Sequence, residues 1–153
     1  MSPFDALSVC AEVAIAILGF SGIVVVFSER SQESAAQPMF RTLFRGTLIP
    51  LAIIALAFIL EAASLEAPTI WRICSTVHAI ALSFILFNGV RATRRQPGSA
   101  LWAPTVGAFL VLGLSALNAL TLVEFWPVLT VICWALGISL YAFAGLIFSS
   151  SAA

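Results

Sequence analysis

At 153 residues the chain is 61% hydrophobic and 9% charged, with a mean hydropathy of +1.11. Soluble domains carry about a quarter charged residues, so this composition cannot furnish a water-facing surface, and an all-α integral membrane protein is expected. Seven basic residues, every one an arginine, balance seven acidic ones; no basic face exists to bind nucleic acid, and no GxxxxGK[ST] loop exists to cradle a nucleotide.

A helix that crosses a bilayer needs about 20 mainly apolar residues. Five windows meet that requirement, at residues 4–27, 41–65, 70–90, 102–123 and 127–148, and predict a five-helix transmembrane bundle that takes up the chain, 1–153, as one domain. The first follows a start, MSPFDALSVC, that carries Asp5 and no positive n-region. Its apolar run is longer than the core of a signal peptide, so it reads as a retained span. Within it Ser8, Glu12, Gly19 and Gly22 fall in a narrow arc at helical spacing, and small residues let helices approach closely. The second window opens after Pro38, which suits a first helical turn, and contains Pro50, which is expected to kink it. Residues 39–45 have an apolar and a basic face. They fit a helix start lying along headgroups or arginines snorkelling from a helix end.

The third window holds His78, and the fourth holds Asn118 with a sparse small-residue stripe at Gly107 and Ser115. Only Glu-Phe-Trp-Pro separates the fourth from the fifth, which Pro127 is expected to start and which bears a stripe at Gly137, Tyr141 and Gly145. Arginine-rich short loops stay cytoplasmic. Arg30, Arg41 and Arg45 flank the first connection and Arg91, Arg94 and Arg95 fill the third, whereas the second has Glu66 with Arg72 and the fourth only Glu124. The N-terminus is therefore expected outside and the C-terminus in the cytoplasm, with Arg41, Arg45, Arg91, Arg94 and Arg95 at lipid headgroups. Trp71 and Trp126 then fall at the outer boundary and Trp102 at the inner one, where amphipathic rings settle, while Trp134 lies deeper as a packing residue.

Ionisable groups inside a bilayer are costly and usually face a bundle interior or a wet cavity. The candidates are Glu12, Glu61, His78 and Asn118. At about 1.5 Å per residue, Glu12 and His78 come roughly 12 Å below the outer boundary and Glu61 and Asn118 roughly 6 Å. Two readings stay open. In one, Glu12 and His78 pair with Glu61 nearby as an ion or proton pathway reached from outside, burial and neighbouring charge tuning their protons. In the other, each is a satisfied polar contact between helices. Two glutamates and one histidine on three helices, without local ligand spacing, predict no metal site.

Cys10, Cys74 and Cys133 show no CxxC spacing and read as small buried residues. No serine lies in a GxSxG elbow and His78 is the single histidine, so an enzyme is not expected. A haem held by two histidines would need a second chain, so no cofactor is expected either.

The segments AEVAIAILGFSGIVVVF and FRTLFRGTL, in the first third of the chain, resemble an uncharacterised group of small bacterial multi-pass membrane proteins. That resemblance implies a bacterial inner membrane and carries no activity or site residue with it. Function divides into a channel or transporter conducting an ion or proton through a homo-oligomer, and a non-catalytic subunit packed against other membrane proteins in a larger complex.

Overall fold

The computed structural model describes residues 1–27, 37–93 and 102–148, with side chains placed for 1–23, 40–88 and 106–145. Five α-helices follow one another: α1 Pro3–Phe27, α2 Gln37–Ala62, α3 Ala67–Thr93, α4 Trp102–Leu117 and α5 Phe125–Phe148, with α4 running on through a π-helical turn, Asn118–Leu122. No strand occurs among the described residues. Pro3–Ile23, Phe40–Ala62, Ala67–Asn88 and Phe125–Gly145 are each long and apolar enough to cross a membrane, and α4 contributes the shorter apolar stretch Val106–Leu122.

The helix ends have local causes. At the start of α1 the Ser2 N–H donates to Asp5 Oδ2 at 2.8 Å and the Asp5 N–H to Ser2 Oγ at 3.1 Å. This reciprocal pair satisfies orphan donors of the first turn, with Pro3 between them where a missing N–H does no harm. Helix α2 begins at Gln37, four residues before the expected start, and stops at Ala62, three before the expected end. The stop is set by Ser64, held in the left-handed region at φ 58. From there the Ser64 N–H reaches the Glu61 carbonyl at 2.8 Å and the Leu65 N–H reaches that of Leu60 at 3.2 Å, closing carbonyls that a helix end leaves open. Helix α5 begins at Phe125 rather than Pro127, which sits in its first turn.

The chain forms two compact units, one of residues Met1–Ile54 with Ile132–Ala153 and one of Ala55–Val131. In the first unit α1 buries Ala6, Leu7, Cys10, Ala14, Ile17 and Ser21, a stripe at helical spacing. Between α2 and α5 of this unit the backbones come close at Gly46. A Cβ there would collide with the Ser139 hydroxyl and lie 3.0 Å from the Ala135 carbonyl. Ser139 Oγ stands 3.0 Å from the Ala135 carbonyl of its own helix and 3.3 Å from the Leu43 carbonyl of α2, to which Thr47 Oγ1 also donates at 2.8 Å. Leu43, Thr47 and Ser139 are fully buried. Helix α2 continues through the buried Pro50, whose missing N–H is the one that would otherwise bond the Gly46 carbonyl.

This close approach falls on residues outside the small-residue stripes expected from the sequence. On α5 Ala135, Ser139 and Ala142 are among the buried positions, whereas Gly137 and Tyr141 are exposed and Gly145 is half-buried. A Cβ on Gly137, Gly19 or Gly22 would meet nothing within 4 Å. Gly46→Leu should therefore lower stability in a monodisperse detergent micelle by about 1–3 kcal/mol, the usual cost of overpacking, while Gly19→Ala and Gly22→Ala should stay within about 0.5 kcal/mol. Unfolding by a graded denaturing detergent compares the three; equal losses would remove Gly46 from its packing role.

Candidate functional site

In the second unit α3 packs along α4 and its π-helical turn. Helix α3 turns Ile70, Trp71, Cys74, Ser75, His78, Leu82 and Leu86 inward, and α4 answers with Ala108, Val111, Ser115 and Asn118. Both stripes follow the three-and-four spacing of a packed helix face. Two polar rungs cross between them. His78 Nδ1 lies 3.0 Å from Ser115 Oγ, and Asn118 Nδ2 donates to Ser75 Oγ at 2.7 Å. The spacing of three residues on each helix, Ser75 to His78 and Ser115 to Asn118, sets the rungs one turn apart in an antiparallel register. Ser115 Oγ also bonds the Val111 carbonyl at 3.0 Å.

Asn118 does more than cross the seam. Its Nδ2 also donates to the Glu124 carbonyl at 3.0 Å, and its Oδ1 accepts the Glu124 N–H at 2.9 Å. Its own carbonyl accepts the Val123 N–H at 2.9 Å, the five-residue reach of a π-turn. Val123 takes φ 52, a left-handed conformation that costs a β-branched residue about 1–3 kcal/mol and persists where its surroundings over-determine it. The Asn118 amide, fully buried and engaged at every polar atom, supplies that over-determination. The α4–α5 connection accordingly shrinks to Val123 and Glu124. Beside it the Trp71 and Phe125 rings meet at 5.1 Å between centroids, tilted by 52°; Trp71 is buried, while Trp126 is 53% exposed.

The other sequence candidates lie elsewhere. Glu61, in the last turn of α2, is exposed, and His78 in the same unit makes its hydrogen bond to Ser115. In the first unit Glu12 is exposed on α1, together with Ser8, Ile15, Gly19 and Gly22 on the same arc. At about 1.5 Å per residue Glu12 sits roughly 13 Å along α1 from Pro3, in the interior of a stretch apolar enough to span a bilayer. Arg41 and Arg45 are exposed near the start of α2. Arg91 closes α3 with its side chain outside the described residues, as is that of Trp102, and Arg30, Arg94 and Arg95 lie outside them altogether. Among the described residues no three His, Cys, Asp or Glu side chains gather to hold a metal ion.

Three contacts are not among the pairings expected from the sequence. Gly46 carries no local signal, because its partner Ser139 is remote in sequence. The Ser75–Asn118 and His78–Ser115 rungs did have a signal, in two polar pairs of equal spacing on consecutive spans. No protein family, curated protein or solved structure matches the chain, so function is argued from these side chains alone.

Removing a buried hydrogen-bonding group leaves its partners unsatisfied at about 1–3 kcal/mol, while single interhelical bonds in membrane proteins average about 0.6 kcal/mol and reach about 1.7. Asn118→Ala should thus cost about 1–3 kcal/mol and Ser75→Ala clearly less. A double-mutant cycle measured by unfolding in detergent should return a positive coupling for this pair, and strict additivity would contradict the rung.

Proposed function

We propose that the chain is a five-span inner-membrane protein, N-terminus outside and arginines on the cytoplasmic side, that assembles through α1 into a homo-oligomer and conducts an ion or proton past Glu12. The carrying observation is the exposure of Glu12 on the face of α1 opposite its buried stripe. A charge at the centre of a spanning helix costs about 2.5–3.5 kcal/mol on insertion scales and is rarely left facing lipid. A second copy relieves that cost. Copies inserted in one orientation are related by an axis along the membrane normal, so their Glu12 side chains recur at one depth. A carboxylic acid both donates and accepts, and like carboxyls held together share a proton readily. Gly19 and Gly22, open to the same side, let the neighbouring backbone approach.

On this reading Glu12 carries the conducting role. His78 and Asn118 hold α3 to α4. The second reading, a non-catalytic subunit of a larger complex, draws on the full internal engagement of Asn118 and the hydrogen bond of His78, which leave the second unit little chemistry. Flux in proteoliposomes separates them. The channel reading expects pH-dependent cation or proton flux that falls to the level of empty vesicles in Glu12→Gln. Flux absent from the wild type, or unchanged in Glu12→Gln, favours the subunit.

A further inference from the structure

Helix α1 carries two oxygen-bearing side chains on its outward face, one turn apart. Ser8 and Glu12 are both exposed, and in a continuous α-helix, Pro3–Phe27, residues four apart have Cβ atoms about 5–6 Å from one another. Helical side chains lean toward the N-terminus, so the longer Glu12 side chain carries its carboxylate back over the turn of Ser8. Neither group has a hydrogen-bond or ionic partner among the described residues. Ser21 of the same helix, by contrast, donates its hydroxyl to the Ile17 carbonyl. Helix α1 has no basic side chain of its own, and both positions lie inside a stretch apolar enough to cross a membrane, Pro3–Ile23. A charge there has to be neutralised from outside the helix.

We propose that Ser8 and Glu12 form a site for a small monovalent cation of the sodium type, which competes with a proton for the Glu12 carboxylate. The site rests on the conduction reading above and gives its permeant ion a chemical class. Carboxylate and hydroxyl oxygens are hard donors that favour hard cations. A proton occupies a single oxygen, whereas a cation engages Ser8 Oγ and both carboxylate oxygens at once. Each copy brings one carboxylate, so one monovalent cation per copy leaves the assembly neutral whatever the number of copies. A divalent cation balances only where carboxylates pair, and elsewhere it leaves net charge in hydrocarbon, which is costly. Water and the neighbouring copy complete the coordination shell.

The test uses the full chain in lipid nanodiscs at mildly acidic pH, treated with dicyclohexylcarbodiimide, which partitions into the membrane and adds to protonated carboxyls. Peptide masses locate the adduct, and its rate of formation on Glu12 is compared in sodium, lithium, calcium and choline chloride at equal ionic strength. Glu12 should be labelled in choline and protected severalfold by sodium or lithium, since a bound competitor withholds the site by mass action. Calcium should protect no better than choline. Ser8→Ala should still take the label in choline and lose most of the sodium protection, while Ser83→Ala, exposed on α3, keeps it and Glu12→Gln takes no label on that peptide. Equal labelling in sodium and choline, calcium protection equal to that of sodium, or undiminished protection in Ser8→Ala would overturn the cation site and leave proton conduction past Glu12 standing. A wild-type Glu12 that stays unlabelled in choline would overturn the conduction reading, and the cation site with it.

Discussion

In a hydrocarbon solvent every polar atom has to find its partner inside the protein, because no water is there to substitute. That requirement shapes the described helices. Ser21, Thr47, Thr76, Ser115, Thr121, Thr130 and Ser139 each donate to the carbonyl four residues back, and Asn88 does the same through its amide. Such bonds let a hydroxyl enter an apolar helix at little cost. No buried side-chain N or O atom among the described residues is left without a hydrogen bond. Asn118 is the fullest instance. One amide closes the π-turn, pins the left-handed Val123 and crosses to Ser75, so the shortness of the α4–α5 connection and the register of α3 on α4 share a single origin.

Against this background the exposure of Glu12 carries weight. The buried hydroxyls and amides of the described residues are satisfied within the chain, while the one carboxylate deep in α1 is turned outward among residues with open space beside them. That exposure is the observation on which the proposed second copy rests. The same helix turns Cys10 the other way, onto its buried stripe. Helix α1 thus has an inward face that joins the first unit and an outward face proposed to join a second copy.

The helical class and the approximate extent of each element were legible because lipid imposes a simple rule on composition and length. The ends were less so: α2 stops at Ala62 rather than residue 65 because Ser64 adopts a left-handed conformation that apolar content does not announce, and α5 starts at Phe125 because Asn118 shortens the turn before it. The site was legible in its parts and not in its pairings. His78 and Asn118 stood out as polar residues in apolar runs, but their partners are serines, a residue type too common in spans to be noticed singly. Helix periodicity located the arc of Ser8, Glu12, Gly19 and Gly22 without saying which way it faced, since small residues mark close packing and open surface alike. On α5 the same ambiguity put the expected stripe on Gly137 and Tyr141, opposite the buried Ala135, Ser139 and Ala142.

Cross-linking of single cysteines, placed one at a time in a chain whose native cysteines are serine, tests most directly whether the outward face of α1 meets a second copy. In lipid nanodiscs or native-like membranes, Ser8→Cys, Gly19→Cys and Gly22→Cys should give covalent dimers on oxidation with a lipid-soluble reagent, while Phe84→Cys and Phe87→Cys, on an exposed face of α3, should remain monomeric. Dimers from the α3 positions, or none from α1, would contradict an assembly built around Glu12.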